Sequence, residues 1–243
     1  MSVFFGGNEM GATKGVFYPS SGGSNSTGLL TSLAAYWSLS DASDSSVNGR
    51  GLTNVNSVGF TSSPFGGAAV IGQSSGKYLA WTGSSINLAG DWAVSGWVNP
   101  PYNLNIVNPA YGYALISNVN NTSGLGCWIV GNGTGGVSFT VASPGTDGTI
   151  FGSCAASVQP NVWTHIAFTR TAGVVTAYVN GSAFGSVSYA TNNSTTAIDI
   201  GGTRTGNWTY GQFSSTGLWT RALTATEIAL LYNSGSGRAY SAF

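Results

Sequence analysis

From Leu33 onward the chain repeats one pattern: short runs of apolar, aromatic and β-branched residues, separated by Gly, Ser, Asn or Pro. Runs of this kind occupy residues 34–39, 77–81, 91–98, 113–117, 125–130, 137–142 and 149–154, and then 162–170, 174–179, 195–200, 208–213 and 216–220. Residues 91–98 alternate cleanly, with Trp92, Val94, Gly96 and Val98 on one face and Ala93, Ser95 and Trp97 on the other. Large side chains on both faces predict a central strand covered from each side. Pro100-Pro101 then stops it, because proline has no N–H to donate to a ladder. Thr171-Ala172-Gly173 predicts a hairpin between 162–170 and 174–179. Asn180-Gly181 predicts another, since both central residues of a two-residue turn of this kind need positive φ. So many short strands at this spacing predict an all-β protein, a two-sheet antiparallel sandwich. One short helix is predicted near the end. Thr224-Ala225-Thr226-Glu227 has capping-box spacing, and Ile228, Leu231 and Tyr232 recur on one side of the turns that follow.

Residues 1–30 follow another pattern. Phe4, Phe5, Phe17 and Tyr18 are embedded in Gly, Ser, Asn and Thr, and the Ser/Gly/Asn stretch 20–28 has linker composition. The expected organisation is an N-terminal arm and Gly/Ser-rich linker over 1–30, followed by one sandwich domain over 31–243. Two readings of the arm stay open: a leader without structure, or an assembly anchor whose four aromatics dock on a neighbouring subunit.

Charge sharpens this picture. The chain has 243 residues, 42% of them hydrophobic, yet 7 Lys+Arg and 7 Asp+Glu make only 6% charged, against about 25% in ordinary globular proteins. Such a surface has no electrostatic footprint for nucleic acid or anionic lipid, so neither is an expected partner. It also offers little repulsion against self-association, which suits a homo-oligomer or a larger assembly. The N-terminus lacks a basic start with an apolar core after it, so no secretion signal is read. No apolar run approaches the roughly 18 residues of a membrane helix. Cys127 and Cys154 are read as buried free thiols rather than a bridge.

Five segments in order resemble the laminin-G-like jelly-roll family, of the concanavalin A-like lectin/glucanase type. They are Ala93-Val94-Ser95-Gly96-Trp97-Val98-Asn99-Pro100, then Trp163-Thr164-His165-Ile166-Ala167-Phe168-Thr169, then Val175-Thr176-Ala177-Tyr178-Val179-Asn180-Gly181, then Ile200-Gly201-Gly202. The closing segment runs from Leu218-Trp219 through Glu227-Ile228. The resemblance spans roughly residues 33–235 and implies a laminin-G-like jelly roll with one short C-terminal helix. It leaves function open, because this fold hosts lectins, adhesion modules, glycan hydrolases and viral coat components.

Catalysis is disfavoured by the inventory of acids. Glycoside hydrolysis needs two carboxyl groups about 5–10 Å apart, and no two of Glu9, Asp41, Asp44, Asp91, Asp147, Asp199 and Glu227 share a strand at alternate spacing. The single histidine, His165, lies mid-strand and reads as a core histidine bonded to a neighbour. No catalytic residue is assigned, and a hydrolase or lyase is the least favoured class. No cofactor is required. Relatives that hold calcium raise one metal candidate, the loop Asp44-Ser45-Ser46-Val47-Asn48-Gly49, where Asp44 and Asn48 either ligate the ion or hydrogen-bond their own turn. Sugar recognition would rest on aromatic faces beside polar groups, and the candidates are Tyr111, Tyr113, Arg204, Trp208 and Tyr210, unless these rings simply pack.

The opening Phe4-Phe5-Gly6-Gly7-Asn8-Glu9-Met10 resembles short leaders of phage structural proteins. With the uncharged surface it leads to the expectation of a non-enzymatic virion protein: a capsid decoration protein, head fibre or tail appendage, assembled in the host cytoplasm. Its partners would be capsid or tail subunits, with the arm docking and a lectin-like sandwich displayed. The alternative is a carbohydrate-binding adhesion module that recognises cell-surface glycan.

Overall fold

The computed structural model describes residues 27–72, 76–101, 112–117, 125–131, 137–143, 146–151, 158–189, 193–202 and 211–243. Fifteen strands and one α-helix are found among them. Sheet A runs β13(Ser182–Ser188), β12(Val174–Val179), β11(Thr164–Thr171), β6(Trp92–Asn99), β15(Gly211–Trp219), β4(Gly66–Ile71) and β3(Gly59–Ser63), with β1(Leu33–Trp37) also paired to β15. Sheet B runs β10(Thr146–Phe151), β9(Val137–Ser143), β8(Gly126–Gly131), β7(Gly112–Ser117), β14(Asn193–Ile200), β5(Tyr78–Leu88) and β2(Thr53–Val55). All pairings are antiparallel. This is the predicted jelly-roll sandwich.

The main core lies between the sheets and includes Trp37, Trp92, Val94, Val98, Leu115, Ile129, Phe139, Ile166, Phe168, Ile200 and Phe213. A second cluster covers the outer face of sheet A. There Leu29, Leu223, Ile228 and Leu231 pack on Tyr36, Ala93, Ala167, Tyr178 and Trp219, with Tyr240 and Phe243 against them. The centre of sheet A is therefore buried on both faces, which is why β6 is apolar at positions of both parities. Leu29 is fully buried and its carbonyl accepts the Trp219 Nε1–H at 2.7 Å, so the sandwich already includes it, just ahead of the expected boundary at residue 31.

The helix α1(Ala225–Tyr232) begins as predicted. Thr224 accepts from the Glu227 N–H, and the Glu227 carboxylate accepts from the Thr224 N–H at 2.8 Å. Arg221 adds a two-pronged contact to that carboxylate and donates to the carbonyls of Gly28 and Thr31, tying the chain start to the helix start. The turn at Asn180 (φ 47) and Gly181 (φ 77) joins β12 to β13. A Cβ on Gly181 would stand 2.9 Å from the Tyr232 ring, so both the conformation and the close approach require glycine.

Two sequence expectations change. Residues 208–213 and 216–220 read as separate strands, but 211–219 is one strand, β15, bulged where Ser215 takes φ 51. The extra residue breaks the alternation, so one strand reads as two. Strands β2, β3, β4 and β13 carried too little apolar pattern to be predicted.

Candidate functional site

The strand pairings gather several connections at one end of the sandwich. Asn99 at the end of β6 lies opposite Gln212 at the start of β15, and Val98 lies opposite Thr164 at the start of β11. Val179 at the end of β12 lies beside Ile166, and the Gly201 N–H after β14 donates to the Ala114 carbonyl of β7 at 3.1 Å. The segment before β11 is fixed there too, because the Asn161 N–H donates to the Pro100 carbonyl at 2.7 Å.

At this end a cleft of about 470 Å³ opens between the segment before β11 and the β12–β13 hairpin. Val179, Ala183 and Phe184 supply its apolar surface together with the half-exposed Val162, while Gln159, Asn180 and Ser182 supply amides and a hydroxyl. Among the described residues no ionisable side chain lines it. Phe184 also packs on Phe139 of sheet B, ring centroids 5.0 Å apart, so the cleft sits against the main core. The sequence does not reveal these residues as a group: Asn180 stands out only as a turn residue, and the strand that its hairpin implies, β13, has no clear apolar alternation of its own.

Of the expected sugar-binding residues, Tyr111, Arg204, Trp208 and Tyr210 lie outside the described residues, as do the arm aromatics Phe4, Phe5, Phe17 and Tyr18. Their described neighbours Gly112, Gly202 and Gly211 belong to the same loop-bearing end. Tyr113 is a correction. It is 3% exposed, and its ring lies 6.3 Å from that of Phe213 inside the main core, so its face packs rather than meeting a ligand.

Asp44 and Asn48 act on their own loop. One Asp44 oxygen accepts from the N–H groups of Tyr36 (3.1 Å) and Ser46 (2.8 Å); the other accepts from the Ser46 hydroxyl (2.9 Å) and the Arg50 N–H (2.8 Å). The Asn48 amide donates to the Leu33 carbonyl at 2.9 Å. These bonds pin residues 44–50 to β1. Among the described residues no group of three or more His, Cys, Asp or Glu is placed to hold a metal.

Four other acids have structural partners or burial. Asp91 accepts from the Ala172 N–H, Asp41 from Ser43, Glu227 caps α1, and Asp199 is 1% exposed within β14. His165 is fully buried on the outer side of sheet A, with Nε2 2.8 Å from the Ser95 hydroxyl and Nδ1 without a partner. Burial pulls its pKa down to about 3, so the ring is neutral at physiological pH. A Ser–His pair that water and substrate cannot reach is a packing element, as its mid-strand position suggested. Cys127 is a free, buried thiol that burial pushes well up, which makes it inert; Cys154 lies outside the described residues.

Comparison with known proteins agrees with this architecture. The family model described as the concanavalin A-like lectin/glucanases superfamily, a laminin-G type, matches residues 72–229. The chain belongs to that superfamily. A search of curated proteins gives no significant match. Among solved structures, the binding domain of Paraclostridial Mosquitocidal Protein 1 is similar at TM-score 0.66 and 18% identity, covering 85% of this chain and 53% of that one. The botulinum neurotoxin serotype G binding domain follows at TM-score 0.62 and 21% identity, covering 82% and 50%. The chain thus spans about half the length of these toxin domains. Domain 4 of AbnA, an extracellular arabinanase of Geobacillus stearothermophilus solved with arabinotriose, is matched along 96% of its length at TM-score 0.58 and 20% identity. At these identities the likeness shows the fold alone, the antiparallel sandwich described above.

Proposed function

We propose that this chain is a non-catalytic glycan-binding module. The observation that carries the reading is the loop-bearing end of a lectin-superfamily sandwich, where an uncharged cleft of amide, hydroxyl and apolar groups lies open. Sites for small ligands combine an apolar surface with a few placed polar groups in this way. Hydrolysis needs an acid pair astride the scissile bond, and no described residue lining the cleft carries a carboxyl group. Three of the structural relatives bear on the choice: one was solved with arabinotriose, and the other two are named as binding domains. A glycan array probed with the purified chain, with and without calcium, tests this; silence across neutral and acidic glycans in both conditions would defeat it.

A second reading concerns where the module is carried. The low charge and the aromatic-bearing residues 1–26 ahead of the sandwich favour a virion structural protein, docked by its N-terminal arm on capsid or tail subunits and displaying the module. Light scattering on the full chain and on a chain beginning at Thr27 tests the arm. The expected result is a symmetric oligomer that falls to a monomer on truncation; a monomer in both forms would remove the arm's assembly role.

A further inference from the structure

Asn180 has a feature that its role as a turn residue does not require. Its N–H donates to the His165 carbonyl at 2.9 Å, and its side-chain Oδ1 accepts the His165 N–H at 3.0 Å. Because a backbone N–H can only donate, the amide must present oxygen inward, and its orientation is settled by chemistry. These two bonds leave Nδ2 as the unused end of the amide, and among the described residues no hydrogen bond from it is found. Asn180 lines the cleft, and with Oδ1 engaged by His165 the amide N–H donors are what its side chain has left for a ligand there.

We infer that the cleft between the segment before β11 and the β12–β13 hairpin is the saccharide site, and that it takes an uncharged sugar unit through the Asn180 Nδ2 donor. This rests on the glycan-binding reading above and names its place and ligand class. The volume of about 470 Å³ falls within the range of small-molecule sites, about 300–1,000 Å³. A sugar hydroxyl oxygen accepts from Nδ2, and the C–H face of the ring lies on Val162, Val179 and Phe184. A sialic acid or uronate would bring a carboxylate into a lining whose described residues include no Lys or Arg, where its desolvation goes uncompensated.

The test begins with a glycan array carrying neutral oligosaccharides (glucans, galactans, arabinans, mannans) and acidic ones (sialosides, uronides). The strongest neutral hit is then titrated calorimetrically into the full-length protein and two variants. Asn180→Asp keeps an oxygen for the His165 N–H and a side chain that tolerates positive φ, but replaces the donor by a carboxylate. Ser182→Trp, at an exposed position on an edge strand, fills the cleft. The expected result is a neutral hit, weakened about tenfold or more by Asn180→Asp and abolished by Ser182→Trp, with both variants melting as the parent does. Neutral glycans bound equally by all three proteins would overturn the cleft assignment and leave the module reading standing. Acidic hits alone would overturn the ligand class. An array silent for the parent protein would remove the reading on which the inference rests. Should Asn180→Asp fail to fold, Ser182→Trp alone decides the location.

Discussion

His165 gives the sharpest check on how this sandwich is held together. It is the only histidine, so between pH 5 and 7.5 no other side chain with an ordinary pKa titrates. The ring sits on the outer side of sheet A, 5.2 Å from Trp97 and 6.0 Å from Tyr232 between ring centroids. With Nε2–H donating to the Ser95 hydroxyl oxygen, the orphaned Nδ1 is a lone pair rather than an N–H, the less costly of the two tautomers. Protonation would place a charge there with no counter-charge, and burial alone draws the folded-state pKa from 6.5 to about 3.

The sign follows from proton counting. Below pH 6.5 the unfolded chain takes up a proton that the folded chain refuses, so stability falls as pH falls. With the folded pKa below 5, the loss between pH 7.5 and pH 5 depends only on the unfolded value and comes to about 2 kcal/mol. Below pH 3, where the folded form also takes the proton, the loss levels off. Glu227 and Asp41 do not blur this window. Partial burial raises the Glu227 carboxyl, but the bonds from Arg221 and Thr224 outweigh it and leave it lowered; Ser43 lowers Asp41. Both therefore lose their stabilising charge only below the window. Urea unfolding at pH 7.5 and pH 5 measures the slope in the parent and in His165→Gln, which retains polarity without titrating. The parent should lose about 2 kcal/mol and the variant under about 0.5 kcal/mol. A parent with the same stability at both pH values, or a variant that shares its slope, would refute the buried neutral imidazole.

Asp44→Ala strips the acceptors from three backbone N–H groups and should cost about 2–4 kcal/mol in urea unfolding. Asp44→Asn, which keeps one acceptor oxygen, should cost less. Because all four contacts on the Asp44 carboxylate are internal, chelation by EDTA is expected to shift the melting temperature of the parent by less than about 1 °C; a drop of several degrees would show a bound metal. Arg221→Ala removes the ties to Gly28, Thr31 and Glu227 and should free the start of the domain. Amide hydrogen exchange should then rise at Leu29–Leu33 and at the first turn of α1 while β6 stays protected.

Where the sequence was legible, the reason was local. In β6, β11 and β12 large side chains mark the strands, and in α1 the Thr224–Glu227 box marks the start. The residues 66–71 of β4 read as Gly-Gly-Ala-Ala-Val-Ile, weak as a strand, yet a Cβ at Gly67 would come within 2.2 Å of the Ser40 backbone. Glycine there answers a close approach from distant chain, which no local pattern reveals. Tyr113 fails as a ligand residue for a related reason. Alternation shows which residues share a face, but only the pairing of β7 with β8 and β14 shows which face looks inward. The cleft was hidden more deeply, since Gln159 and Ser182 are brought together by the return of the chain through β11 and β12.

The covering of sheet A also bears on where a glycan-binding module of this fold would place its site, and it favours the proposed loop-bearing end. Tyr36, Tyr178 and Trp219 would be a broad aromatic platform if exposed, but the residues at both ends of the described chain close over them: Leu29 from one side, α1, Tyr240 and Phe243 from the other. Glycan stacking on that face would require opening a packed cluster whose members are almost wholly buried. The opposite face of the same sheet is the main core. Variation compatible with the fold is thereby displaced to the turns that leave the strand ends, and the β12–β13 turn is a firm one because Asn180 is bonded twice to His165 and Gly181 rests on Tyr232. A donor fixed in this way keeps its direction whether or not a ligand is bound, so sugar binding at this point should leave the hairpin's amide exchange nearly unchanged, and a large new protection at residues 179–182 would argue instead for a turn that orders only on binding.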